Sequence, residues 1–228
     1  TDPRVVAAAI DAFAEAGATV AVGESPITGV KALEALEETG IASVCRERGV
    51  PTIDLDVRPP VVLAIADGKA IHDLKVCADV FDFDIVVSIP VMKMHMHTGV
   101  TLSVKNMKGC LWRRSKVDLH MLAPLPETDD KPLNVAITDM ATVLRPHLSI
   151  IDGTIGMEGL GPSAGTPKAL GVVVVGADPV AADAVACAVM GVDARTVPHL
   201  RMAAERSIGS IDTASMDIAP ADWRRWVR

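Results

Sequence analysis

The chain has 228 residues, of which 50% are apolar and 22% are charged, so it can bury a sizeable core, and global disorder is excluded. Its net charge of −7 disfavours broad electrostatic binding to nucleic acid or to an anionic membrane. Aromatic residues make up only 3%, which leaves few side chains for stacking on bases. We therefore expect a globular protein with no nucleic-acid partner, in which any basic cluster is local and informative.

Cysteine spacing and hydropathy further narrow the class of protein to which this chain can belong. Cys45, Cys77, Cys110 and Cys187 form no Cys-x-x-Cys pair, so this chain carries no iron–sulfur motif and no zinc ribbon, and we expect reduced, mostly buried thiols. No apolar run approaches the roughly 18 residues of a membrane span, and no signal peptide is recognisable. We expect a cytoplasmic protein, although the start at Thr1 instead of Met leaves an exported precursor as an alternative.

Helical and strand patterns alternate along the chain. Asp2 and Pro3 are typical of a helix start, and Gly17 of a helix end. A hairpin is predicted over Val61–Val76, with its turn at Asp67-Gly68. The other predicted elements are helices at Thr28–Gly40, Ile41–Gly49, Lys131–Leu144, Pro179–Met190 and Thr196–Ser207, strands at Ala18–Glu24, Asp84–Pro90, His147–Asp152 and Leu170–Asp178, and a long loop at Arg113–Asp130. Residues 1–228 are thus predicted to form one α/β domain with an open, mostly parallel sheet covered by helices on both faces and a small hairpin lobe.

A basic segment follows the strand Asp84–Pro90. In MKMHMH the methionines alternate with Lys93, His95 and His97, so an extended chain places the three basic side chains on one face. Thr98 is predicted to cap a helix whose polar face carries Thr101, Lys105 and Lys108 at helical spacing. A helix amino terminus attracts anions, so the ensemble predicts a phosphate or carboxylate site. The alternative is that the lysines are solvated and one histidine is structural.

A glycine-rich acidic segment, Asp152–Pro167, is predicted as a ligand loop after a buried strand. Its glycines let the backbone approach a ligand, and we assign Gly159 and Gly161 to substrate binding. Asp152 and Glu158 either pair with the basic residues or bind a divalent metal. An ordinary surface loop with a capping aspartate is the alternative.

Two aspartates belong to the segment GADPVAADAVA. Asp178 precedes Pro179 and is predicted to cap the helix. Asp183 lies inside a helix that is apolar nearly all round, where a carboxylate is costly unless it is paired. We expect a lysine or histidine of the basic segment as its partner, in a structural ion pair or in an active site. His120 and His199 are single histidines and are expected to be structural or solvated.

The sequence resembles the uncharacterised family called domain of unknown function 362. The resemblance is carried by Ile89–Gly109, Ile151–Pro167 and Gly176–Gly191, and weaker similarity begins at Thr1. The family's pattern normally begins with a strand upstream of Thr1, so we expect an N-terminal strand to be missing from this sequence. Many members of the family carry iron–sulfur modules. The positions that match the family pattern are Lys93, His95, Thr101, Lys105, Asn106, Gly109, Asp152, Gly153, Glu158, Gly159, Gly161, Pro162, Asp178 and Asp183.

A more distant resemblance is to the nickel-pincer lactate racemases. That family has a similar strand followed by His, nine residues and Lys, and His95 and Lys105 have this spacing. There the lysine holds the pincer nucleotide and a later histidine, for which His120 is the candidate here, ligates nickel. The resemblance implies a related fold and a 2-hydroxy-acid substrate.

Three functional hypotheses follow. The first is an enzyme that acts on a small anionic metabolite, with or without a metal: His95, Lys105 and Asp183 are the catalytic candidates. In this hypothesis the substrate-binding residues are Lys93, His97, Thr101, Asn106, Lys108, Gly159 and Gly161, and the metal ligands are Asp152 and Glu158. The second is an iron–sulfur or metal-binding electron-transfer accessory. The third is a nickel-pincer-type racemase or epimerase. The oligomeric state is not predicted.

Overall fold

The computed structural model describes residues 1–228. Its helices are α1 (Pro3–Glu15), α2 (Ala32–Glu38), α3 (Ile41–Glu47), α4 (Ser103–Asn106), α5 (Ser115–Asp118), α6 (Pro132–Val143), α7 (Pro179–Val189) and α8 (Pro198–Glu205). Its strands are β1 (Val22–Glu24), β2 (Thr52–Asp54), β3 (Val61–Ala64), β4 (Asp73–Val76), β5 (Val87–Ser88), β6 (Val91–His95), β7 (Gly99–Thr101), β8 (Leu148–Leu160) and β9 (Ala164–Gly176). Short 3-10 helices lie at Ala78–Asp82, Met107–Cys110, Ala194–Thr196 and Trp223–Trp226.

An open five-stranded sheet organises the chain, which confirms the predicted α/β class. Its long strand β8 pairs with β5 and β6 in parallel and with β9 antiparallel, and β7 pairs antiparallel with β6. Three of the five strands therefore run in one direction. The strands β1 and β2 form a separate parallel pair, and β3 and β4 form the predicted hairpin.

Helices cover both faces of this sheet, as predicted. On one face, Val5 and Ala9 of α1 pack against Ile150 of β8. The other face carries the main core, in which Met92 and Ile151 are fully buried together with apolar side chains of α4, α6, α7 and α8. Since side chains alternate along a strand, the residues of β6 that flank Met92 point away from this core, toward the face of α1.

Several predicted elements have different structures. The predicted long loop Arg113–Asp130 contains the short helix α5. The segment predicted to be a helix from Thr98 begins as strand β7, and α4 begins only at Ser103. The predicted glycine-rich loop is instead the tip of a long antiparallel hairpin formed by β8 and β9, paired up to Leu160 and Ala164. The second strand of this hairpin is not buried on both faces as predicted: the side chains of Val173 and Val175 are 43% and 60% exposed.

Close strand contacts explain part of the glycine content of the hairpin. A Cβ atom at Gly161 would lie 1.8 Å from the carbonyl oxygen of Met94, and one at Gly156 would lie 2.9 Å from that of Met92. The Gly161 carbonyl also accepts a hydrogen bond from the N–H of Met96 at 3.1 Å. These glycines therefore allow the hairpin to lie directly against β6.

We expect Gly161→Ala to lower the free energy of unfolding by about 1–3 kcal/mol, because the added methyl group must displace backbone. The matched control is Gly109→Ala, since a Cβ at Gly109 has no neighbour within 4 Å. Urea denaturation of both variants measures the difference. Equal stability of the two variants would contradict the strand contact at Gly161.

Candidate functional site

The hairpin of β6 and β7 carries the first part of the site. Lys93 and His95 lie on the face of β6 opposite the buried Met92, and Lys93 pairs directly with Thr101 of β7. Directly opposed residues of an antiparallel pair have Cβ atoms about 5 Å apart, so the Thr101 hydroxyl lies beside the Lys93 side chain. His95 is buried, and its Nδ1 accepts a hydrogen bond from the N–H of His97 at 3.1 Å.

The helical turn after β7 and the long loop complete the cluster. Lys105 of α4 reaches back, and its Nζ donates to Thr101 Oγ1 at 3.2 Å. Lys108 Nζ lies 2.7 Å from Nε2 of His120, in the predicted long loop. The rings of His95 and His97 are 5.8 Å apart, and those of His97 and His120 are 6.2 Å apart. Lys93, His95, His97, Lys105, Lys108 and His120 are called the basic cluster below.

No carboxylate oxygen lies within 4 Å of the lysine nitrogens of this cluster. The lysines with a carboxylate oxygen within 4 Å are Lys31, Lys116 and Lys168, which lie elsewhere. Lys105 and Lys108 are nevertheless only 9% and 8% exposed. Buried cations are normally paired, so an unpaired buried group of this kind is suited to an anionic ligand that supplies the missing charge.

Burial and mutual repulsion shift the pKa values in this cluster. Burial, then the charges of Lys108 and Lys93, lower the pKa of Lys105 to about 7. Burial lowers the pKa of Lys108 to about 8. Burial and the neighbouring lysines also lower the pKa of His95 to about 3 and that of His120 to about 4. At neutral pH both imidazoles are therefore uncharged, and Lys105 is close to its titration midpoint.

Glu24 is a site residue that sequence reasoning missed. It ends β1, and its Oε1 accepts the N–H of Ser25 at 2.9 Å. Burial raises its pKa, and its charge in turn opposes the lowering of the pKa of Lys93 by burial. The available signal was its place at the carboxyl end of a strand, where ligand sites of open α/β sheets lie.

The two predicted metal ligands are not brought together. Asp152 is buried and accepts hydrogen bonds from the N–H groups of Asp2 and Thr154 at 2.7 and 2.9 Å. Glu158 lies 3.5 Å from Lys168 on the hairpin. The two carboxylates are six residues apart on one strand, on the order of 20 Å. No group of three or more His, Cys, Asp or Glu side chains is arranged to hold a metal ion, so these residues do not fit one.

Asp183 has different partners from those predicted. Its Oδ1 and Oδ2 accept the N–H groups of Ser103 and Val104 at 2.7 and 3.0 Å, and the side chain is fully buried. The amino terminus of α4 is therefore occupied by this carboxylate and is closed to an outside anion, contrary to the prediction. Burial raises the pKa of Asp183 to about 8, against the opposing effect of the two N–H donors. Asp178 caps α7 as predicted, since its Oδ1 accepts from Val180 and Ala181.

The remaining predicted binding residues lie beside the cluster and make contacts of their own. Asn106 donates from Nδ2 to Ser88 Oγ at 3.0 Å. The hairpin tip with Gly159 and Gly161 packs against β6, and a Cβ at Gly161 would lie 3.5 Å from the backbone nitrogen of His95. The tip thus supports the backbone of His95 and is not the open ligand loop that was predicted.

Two other features lie outside the basic cluster. Cys45 and Cys187 belong to separate apolar clusters, and all four cysteines are free thiols, so the chain brings no set of cysteines together for an iron–sulfur cluster. A cavity of about 640 Å³ lies between β9, α7 and the C-terminal segment near Trp223. Its lining is mostly apolar and contains none of the basic cluster.

Comparison with known proteins identifies the family but no activity. A thylakoid-associated protein, sll1697, of Synechocystis sp. is 29% identical over 215 residues, which is 94% of this chain and 64% of that protein. No solved structure matches the chain. No helix combines the length and apolar character that crossing a bilayer requires. The model of the family described as domain of unknown function (DUF362) matches residues 1–188, and the chain therefore belongs to that family.

Proposed function

We propose that the protein is an enzyme that binds a small anionic metabolite, a phosphate or a carboxylate, at the basic cluster. The observation that carries this proposal is the group of three buried or half-buried lysines with no carboxylate oxygen within 4 Å. A bound anion would accept charge-assisted hydrogen bonds from their ammonium groups and offset their desolvation.

The arrangement supports chemistry as well as binding. His95 is a neutral imidazole whose Nδ1 is engaged by the His97 N–H, so its Nε2 carries the ring proton and can donate a hydrogen bond to a bound oxygen. Lys105 can exist as ammonium or amine near pH 7, which suits proton transfer at neutral pH. Perturbed titratable groups gathered in this way are typical of active sites.

Binding of sulfate, measured by calorimetry between pH 6 and pH 9, tests the proposal. Sulfate keeps its charge over this range, so any change in affinity belongs to the protein. The pKa values of Lys105 and Lys108 are about 7 and about 8, so both are protonated at pH 6 and largely neutral at pH 9. We expect the affinity to fall at least about tenfold between these limits, because each lost charge weakens a charge-assisted bond. No detectable sulfate binding at pH 6 would contradict the proposal.

A racemase or epimerase of the nickel-pincer type is the second candidate. It is favoured by one observation: His95, Lys105 and His120, the three residues of that resemblance, belong to the same basic cluster. Mass spectrometry of protein produced together with pincer-forming enzymes would show a modified Lys105. An unmodified lysine under these conditions would contradict this candidate.

The cytoplasmic location stays a prediction.

A further inference from the structure

Lys105 differs from the other two lysines of the basic cluster. Lys93 has the carboxylate of Glu24 in its electrostatic environment, and Lys108 lies against the imidazole of His120. Lys105 is 9% exposed, and its hydrogen bond goes to the neutral hydroxyl of Thr101. Its neighbours are the cations Lys93 and Lys108 and the imidazole of His95. No carboxylate offsets the burial of the ammonium form, so the uncharged amine is available near neutral pH.

An uncharged lysine amine beside an anion site has a specific chemical use. Burial in an apolar setting and a neighbouring cation are the two ways in which proteins make a lysine nucleophilic toward carbonyl carbon. The flanking lysines can hold the anionic group of a substrate, so that a carbonyl group close to that anion is presented to the amine. Thr101, which pairs with Lys93 on the neighbouring strand, holds the Lys105 nitrogen through a hydrogen bond of 3.2 Å.

We propose that Lys105 forms an imine with a small aldehyde or ketone that carries an anionic group, such as a 2-oxo acid. This inference rests on the proposed function, because the same cluster must first bind the anion. The nitrogen attacks the carbonyl carbon and passes one proton to the oxygen, which gives a carbinolamine. The carbon–oxygen bond then breaks, the hydroxyl group leaves with the second nitrogen proton as water, and a carbon–nitrogen double bond remains. No oxidant, reductant or further reactant is needed.

Reductive trapping of the whole chain tests this inference. The protein is incubated with pyruvate and cyanoborohydride at pH 7.5, and the modified lysines are located by peptide mass spectrometry. An ordinary lysine is neutral in only about one molecule in a thousand at this pH, so we expect Lys105 to be modified on the order of 100-fold faster than the exposed Lys75. Sulfate should slow the modification of Lys105 alone, since it competes for the anion site.

The controls separate the inference from the function on which it rests. Lys105→Arg cannot form an imine, so the rapid modification should disappear in this variant, while sulfate binding is measured on the unaltered chain. Sulfate binding with no preference for Lys105 over Lys75 would overturn the imine and leave the anion site standing. Absence of both sulfate binding and rapid modification would overturn both proposals. Circular dichroism of each variant confirms that it is folded.

Discussion

Lys105→Met should weaken sulfate binding at pH 6 by about 30-fold or more without destabilising the protein. Loss of one partner of a desolvated, hydrogen-bonded charge pair costs about 2 kcal/mol or more, which corresponds to that factor. The fold should not suffer, because Met fills a similar volume and removes a buried ammonium that repels Lys93 and Lys108. Calorimetry and urea denaturation measure the two effects.

The pH dependence of stability gives this prediction a second measurement. The pKa of Lys105 is lowered from 10.5 to about 7 in the folded chain. Between these values the folded chain binds fewer protons than the unfolded chain, so this group makes the free energy of unfolding rise as pH increases from about 7 to 10.5. The rise should be smaller in Lys105→Met.

Lys75→Met is the matched control for the same substitution. Lys75 is an exposed residue of the β3–β4 hairpin, and it has no place in the basic cluster. The Lys75→Met substitution should leave both the sulfate affinity and the free energy of unfolding within error of those of the parent protein. A Lys105→Met variant that unfolds readily but still binds sulfate when folded would show that Lys105 is structural and that the anion site lies elsewhere.

The sequence predicted the basic cluster better than it predicted the element that carries it. Alternation in MKMHMH correctly placed Lys93 and His95 opposite a buried methionine, because the period of a strand is local information. Helical spacing after Thr98 was misleading, since β7 pairs with β6 and tertiary pairing overrides a local helix pattern. Lys105 and Lys108 reach the site all the same, from a helical turn that begins at Ser103.

Long-range partners are what the sequence could not supply. Glu24 acts electrostatically on Lys93 of β6, and the partners of Asp183 are backbone N–H groups about eighty residues away. Backbone N–H donors have no sequence signature. For this reason the sequence suggested a lysine or histidine as the partner of the buried Asp183. The glycines of the β8–β9 hairpin were ambiguous for a similar reason: close approach to a strand and close approach to a ligand both require glycine.

Asp183→Ala should destabilise the protein by about 2–6 kcal/mol, because it leaves the buried N–H groups of Ser103 and Val104 without an acceptor, at about 1–3 kcal/mol each. This is a large part of the roughly 5–15 kcal/mol that a domain of this kind has in total. Urea denaturation measures it. Asp193→Ala is the control: Asp193 accepts the N–H of Arg195 at an exposed cap, so its loss should cost only about 1 kcal/mol.

The same variant decides between a structural and a catalytic aspartate. The pKa of Asp183 is raised to about 8, so between about pH 4 and pH 8 the folded chain binds more protons than the unfolded chain, and this group makes stability fall as pH rises. Asp183→Ala should remove that dependence, together with the order of α4 that positions Lys105. If the variant keeps the stability of the parent protein and binds sulfate normally but loses turnover once a substrate is known, the carboxylate acts in the reaction, and the capping role assigned here is wrong.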